Sequence, residues 1–116
     1  MQEPTFLILT ALATRPLHGY GIIQAVGELS DSEVRLRPGT LYGALDRLAE
    51  QGLIEVEREE AVDGRLRRYY RLTDGGAAVL TREVERLRRR AATAEAQLRD
   101  RGGIIPGLGR IAPTTP

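Results

Sequence analysis

The sequence predicts a mostly α-helical chain with one small β-hairpin, and three patterns carry that expectation. Leu41, Leu45 and Leu48 recur at i, i+4 and i+7 behind Pro38, the buried stripe of a short helix. Two apolar–polar runs, 53–60 and 65–73, meet around Asp63-Gly64, as the arms of a hairpin do. Ala77, Leu80, Val84, Leu87, Ala91, Ala94 and Leu98 follow a 3,4,3,4,3,4 spacing, which marks a long helix with a heptad seam.

The chain has 116 residues, enough for one small domain and an appended element. So short a chain buries only a modest core, so a second copy would help to cover it. No cysteine is present, which removes disulfides and thiolate catalysis. The first residues carry Glu3 and only a short apolar run before Arg15, which fits neither a secretion signal nor a membrane span and leaves the cytoplasm as the expected compartment. Net charge is +1, but its distribution is uneven. Residues 28–63 hold ten acids against four arginines, and residues 64–116 hold five acids against twelve arginines. All seventeen basic residues are arginine, so every basic contact is a planar donor able to bind in two places at once.

Taken in order, Pro4 to about Ala13 reads as a first helix, apolar on most sides around Phe6, Leu7, Ile8 and Leu9. A helix of that kind lies between two surfaces, and the second can belong to another subunit. Arg15-Pro16 ends it. His18 to Leu29 reads as a second helix with Ile22, Ile23, Val26 and Leu29 inward. His18, the one histidine, is expected to hydrogen-bond around that helix start. Gly19, Gly21 and Gly27 weaken the helix or mark close helix–helix approach. A polar connection, 30–37, leads to the helix opened by Pro38 and closed by Gly52. Thr40, Tyr42, Gly43, Asp46 and Arg47 remain on its outer face, with Arg35 and Arg37 at its start.

In the hairpin, Ile54 with Val56 and Tyr70 with Leu72 are expected to face the core, which pairs 54 with 72 and 56 with 70. That register leaves a three-residue loop, Val62-Asp63-Gly64, and sets Glu55 against Arg71 and Glu59 against Arg67. Opposite charges so placed contribute roughly 0.2–1 kcal/mol each. The same register forces Arg58 against Arg68, an arrangement that makes sense with an anion between them. Thr73 is a good N-cap for the heptad helix. Roughly 25 residues of that helix span about 37 Å, too long for a small body to cover, so its seam is expected to join a second copy. The expected divisions are 1–73, 74–100 for the dimerisation helix, and a Gly/Pro-rich, disordered tail at 101–116 whose composition predicts no regular structure.

Helix, helix, connection, helix and hairpin together make a winged helix-turn-helix. In that arrangement an outer helix face enters a major groove, and Arg65, Arg67 and Arg68 beside the hairpin turn reach phosphates. His18-Gly19-Tyr20, Gly39-Thr40-Leu41-Tyr42 with Ala44-Leu45 and Arg47-Leu48, Gly52-Leu53-Ile54, and Arg68 to Thr73 with Gly76 make the chain resemble the PadR family of bacterial transcriptional regulators over residues 5–100. The resemblance implies a homodimer built by the C-terminal helix and a winged helix for operator DNA. It also implies repression as the usual mode, often relieved by a small-molecule effector. Thr40 and Tyr42 would face DNA, Arg47 would lie near the backbone, and Arg67, Arg68 and Tyr69 would belong to the wing. Leu41, Ala44, Leu45, Leu48, Ile54, Tyr70 and Leu72 would form the core. Gly43 stands where many members have proline, and with no tryptophan and Phe6 as the one phenylalanine, an aromatic pocket between subunits is not expected.

The leading expectation is thus a sequence-specific DNA-binding regulator, a homodimeric repressor of a pseudo-palindromic operator. The DNA-facing candidates are Arg35, Arg37, Thr40, Tyr42, Arg47, Arg65, Arg67, Arg68 and Tyr69. The dimerisation candidates are Phe6, Leu80, Val84, Leu87, Ala91, Ala94 and Leu98. The alternative is a winged-helix protein-interaction module, which the acids from Glu55 to Asp63 favour because they would repel phosphate. One histidine, no cysteine and no phosphate-cradling glycine loop after a strand leave no catalytic, cofactor or metal constellation to assign.

Overall fold

A computed structural model describes residues 1–102, 104–105 and 109–110 of the chain. The elements run α1 (Glu3–Ala11), β1 (Leu17–His18), α2 (Gly19–Leu29), α3 (Pro38–Glu50), β2 (Ile54–Val62), β3 (Arg65–Leu72), α4 (Asp74–Asp100), β4 (Ile104–Ile105) and β5 (Gly109–Arg110). Two compact units divide the chain, Met1–Thr81 and Arg82–Pro116.

In the first unit, α1 buries Leu7, Ile8, Leu9 and Ala11, with Leu12 capping it into the same core. Ile22 and Val26 of α2 and Leu41, Ala44, Leu45 and Leu48 of α3 meet them, and Ile54 and Tyr70 close the core from the sheet. Leu29, expected inward, is 52% exposed, because it is the last residue of α2. There the chain turns through Asp31 and Ser32, both left-handed at φ 53° and 65°. Ser30 Oγ accepts a 3.0 Å hydrogen bond from Val34 N–H, and Ser32 N–H returns to Gly27 O at 2.7 Å. Buried Leu36 then anchors the connection so that Pro38 can start α3, with Arg37 extended before it.

Gly52, at φ 76°, ends α3. Gly52 N–H bonds Ala49 O and Leu53 N–H bonds Leu48 O, both at 3.0 Å, the paired closure that a left-handed residue permits. Thr73 caps α4 as expected, accepting Gly76 N–H at 3.0 Å, and its hydroxyl donates to Gly52 O at 2.7 Å, which ties the end of α3 to the start of α4.

The sheet has three strands in the order β1-β3-β2, all antiparallel. β1 pairs Leu17 with Tyr70 and His18 with Tyr69. Two residues are too few to leave a periodic signal in the sequence. The hairpin begins in the expected register, with 54 opposite 72, 55 opposite 71 and 56 opposite 70. A bulge between Val56 and Arg58 then shifts the pairing by one residue. Arg58 consequently lies opposite Tyr69, Glu59 opposite Arg68, and Glu60 opposite Arg67. The expected pairs of Glu59 with Arg67 and Arg58 with Arg68 are therefore absent, and with the second goes the case for an anion between two arginines. The shift also draws Val62 into the ladder opposite Arg65. The loop is the two-residue Asp63-Gly64, both at positive φ (49° and 75°), the backbone of a type I′ turn. Val56, expected in the core, is 43% exposed, whereas Ile54 two residues earlier on the same strand is buried.

In the second unit α4 runs on to Asp100. Ile104–Ile105 pairs antiparallel with Gly109–Arg110, a short ladder where glycine and proline density predicted none. Residues 103, 106–108 and 111–116 of the tail lie outside the described residues.

Candidate nucleic-acid interface

The amphipathic pattern of α3 turns Leu41, Ala44, Leu45 and Leu48 inward and leaves Thr40, Tyr42, Asp46 and Arg47 on the outside. Arg35 and Arg37 are exposed just before the helix. The β2–β3 hairpin projects its turn at Asp63-Gly64. Between α3, the hairpin and the start of α2 lies a cleft of about 1010 Å³. Tyr42 and Asp46 line it from α3, Arg65, Arg67 and Arg68 from the hairpin, and His18 from β1. Four predicted site residues thus share one cavity. Arg35, Arg37, Thr40, Arg47 and Tyr69 do not line it.

Two groups of arginine result. Arg58 bonds Glu57 and Glu60, each at 3.0 Å; Arg68 bonds Glu59 at 3.2 Å; Arg71 Nε bonds Glu55 at 2.6 Å. Among the described residues, Arg35, Arg37, Arg47, Arg65 and Arg67 form no ion pair. These five side chains keep their full donor capacity for a partner, whereas Arg68 must first leave Glu59.

Tyr69 is committed within the hairpin. The Arg58 guanidinium sits 4.0 Å from its ring centroid, and the His18 ring lies 5.4 Å away on a tilt. The hydrogen bond from Arg58 holds the Glu60 carboxyl below its ordinary range, and Glu60 in turn raises Arg58. Burial, followed by the Arg67 charge, pushes His18 below 6.5. The His18 side chain makes no capping hydrogen bond at the start of α2. Its place is beside Tyr69 instead, which corrects the role expected of it.

Of the three α2 glycines expected either to weaken the helix or to mark a close approach, Gly19 makes one: a Cβ there would meet the Tyr42 hydroxyl, a partner that sequence reasoning did not name. Gly21 lies against the His18 ring, and Gly27 has open space around it, so one of the three α2 glycines marks a helix–helix approach.

Phe6 and Leu80, expected at a dimer contact, are half-buried against the chain's own core. Farther along α4, Leu87 is 40% and Leu98 37% exposed, with Ala91 and Ala94 exposed between them. Among the described residues no group of three acidic or histidine side chains could hold a metal ion, and no helix is long and apolar enough to cross a membrane.

Residues 8–82 match the Transcriptional regulator PadR-like family. The transcriptional regulator Rv3488 of Mycobacterium tuberculosis is 45% identical over 76 residues, covering 66% of this chain and 67% of its own. The transcriptional regulator YqjI of Escherichia coli is 33% identical over 85 residues, 73% of this chain but 39% of its own length. Among solved structures, a PadR family transcription regulator from Clostridium difficile superposes with a TM-score of 0.70 at 27% identity, over 84% of this chain and 99% of its own. Bacillus subtilis PadR, solved in complex with operator DNA, shares the fold at a TM-score of 0.64 and 24% identity, over 72% of this chain and 48% of its own. The winged helix-turn-helix framework and the matched region agree, and the chain belongs to the PadR-like family of transcriptional regulators, not to an enzyme family.

Proposed function

We propose that the protein is a homodimeric repressor in the cytoplasm that binds a pseudo-palindromic operator and is released by a small-molecule effector. The observation that carries DNA binding is the division of α3, dry on Leu41, Ala44, Leu45 and Leu48 and exposed on Thr40, Tyr42 and Arg47. The uncommitted arginines stand at its start and on the hairpin. The DNA complex of Bacillus subtilis PadR supports the same use of the fold. In this reading Thr40 and Tyr42 read bases, Arg47, Arg35 and Arg37 contact the backbone, and Arg65, Arg67, Arg68 and Tyr69 form the wing contact.

The exposed seam from Leu87 to Leu98 supports pairing of two α4 helices, with Ala91 and Ala94 allowing close approach. A two-fold dimer sets half-sites about 34 Å apart. Gel-shift titration on the chain's own upstream DNA tests the reading. Binding is expected to prefer one inverted repeat and to weaken steeply with salt. Equal affinity for any DNA refutes it, and a monomer in sedimentation refutes the dimer.

One observation favours the winged-helix interaction module: glutamates already hold Arg58, Arg68 and Arg71 of the hairpin. A purified protein that ignores DNA and retains a protein partner selects that reading.

A further inference from the structure

Tyr42 does not stand free on the outer face of α3. A Cβ built on Gly19 would lie 2.5 Å from the Tyr42 hydroxyl oxygen, 3.0 Å from Cζ and 3.3 Å from Cε1. The tip of the tyrosine therefore rests on bare backbone at the first residue of α2. Gly19 is buried, while Tyr42 keeps 50% of its surface open. Gly19 is absent from the residues with positive φ, so its backbone makes no demand for glycine. Space for the tyrosine is what the position provides. Alanine would be the better helix former there.

We propose that Gly19 is a positioning residue for Tyr42, and that the missing side chain at 19 fixes the pose in which Tyr42 meets a base. This rests on the reading of Tyr42 as a DNA contact. A ring seated at one end loses less conformational freedom when a partner arrives, and it arrives at one place rather than several. The group that a methyl at 19 would strike is the free end of a side chain, not backbone. Gly19→Ala therefore displaces Tyr42 and leaves the fold intact.

The test uses the full chain with alanine at 19, alanine at 42, both together, and Gly19→Ala in a Tyr42→Phe background. Operator affinity, affinity for unrelated DNA and thermal midpoint are read for each. Gly19→Ala is expected to keep or raise the midpoint and to weaken operator binding by about tenfold, the order of one lost base contact. Affinity for unrelated DNA should not change. In the Tyr42→Ala background Gly19→Ala should cost nothing more, and in Tyr42→Phe its cost should shrink, since the 2.5 Å neighbour is gone. Equal losses from Gly19→Ala with and without Tyr42, a lowered midpoint, or full operator affinity in Gly19→Ala while Tyr42→Ala loses it, each overturn the proposal. An inert Tyr42→Ala instead overturns the base-contact reading on which it stands.

Discussion

Gly76→Ala and Gly27→Ala make the same chemical change and are expected to have opposite effects on stability. At Gly76, in the first turn of α4, a Cβ would lie 2.0 Å from Leu53 O and 2.7 Å from Leu72 Cδ1. Ordinary C···O approach is about 3.3 Å or more, so backbone must move by over ~1 Å. The carbonyl it meets also accepts Thr73 N–H at 3.1 Å, and Gly76 N–H is the group that Thr73 Oγ1 caps. Overpacking of this kind costs about 1–3 kcal/mol, and a weakened cap adds about 1 kcal/mol. Alanine returns about 1 kcal/mol of helix propensity, so the net loss is about 2 kcal/mol. For a domain of this size that lowers the thermal midpoint by about 10 °C. Gly27, inside α2, has nothing within 4 Å of its virtual Cβ, so only the propensity gain remains, about 1 kcal/mol in favour of alanine. Thermal unfolding of the three proteins at one shared concentration reads both signs. A Gly76→Ala midpoint at or above that of the parent would refute the packing at Leu53.

Leu45→Ala removes a side chain with no exposed surface and should cost about 2–5 kcal/mol in urea unfolding. Glu59→Gln should change stability by less than about 1 kcal/mol, because its pair with Arg68 is exposed. By releasing Arg68 it should steepen the salt dependence of DNA binding by about one counterion. The hydrogen bond from Arg86 holds the Glu83 carboxyl down from 4.5 to about 2, so the unfolded chain takes up that proton first. The stability it contributes is complete above pH 4.5 and drains as pH falls toward 2, and Glu83→Gln should flatten the loss in that window in an acid unfolding series. His18 also titrates below its unfolded value, so stability should fall as pH drops below 6.5, a slope that His18→Gln should remove.

The local patterns were legible because each repeats within a few residues. The stripe of Leu41, Leu45 and Leu48 specifies α3 and its outer face, the heptad spacing specifies α4, and pairing 56 with 70 puts Tyr70 into the core. Most predicted site residues needed no more than that to be placed on a helix face or a hairpin arm. Features that depend on partners far along the chain left almost no trace. The bulge after Val56 shifts every later cross-strand pair and trades an arginine–arginine clash for Arg58 lying over Tyr69. β1 is strand only because Tyr69 and Tyr70 stand beside it. Gly19 shares its sequence signal with Gly21 and Gly27, and Tyr42 as its neighbour appears only in the fold, as does the Leu53 carbonyl that closes on Gly76. Periodicity is a property of neighbours in the chain and survives in one dimension. Register, close approach and the commitment of each arginine are set by what folding brings together, and these govern which side chains remain available to meet DNA.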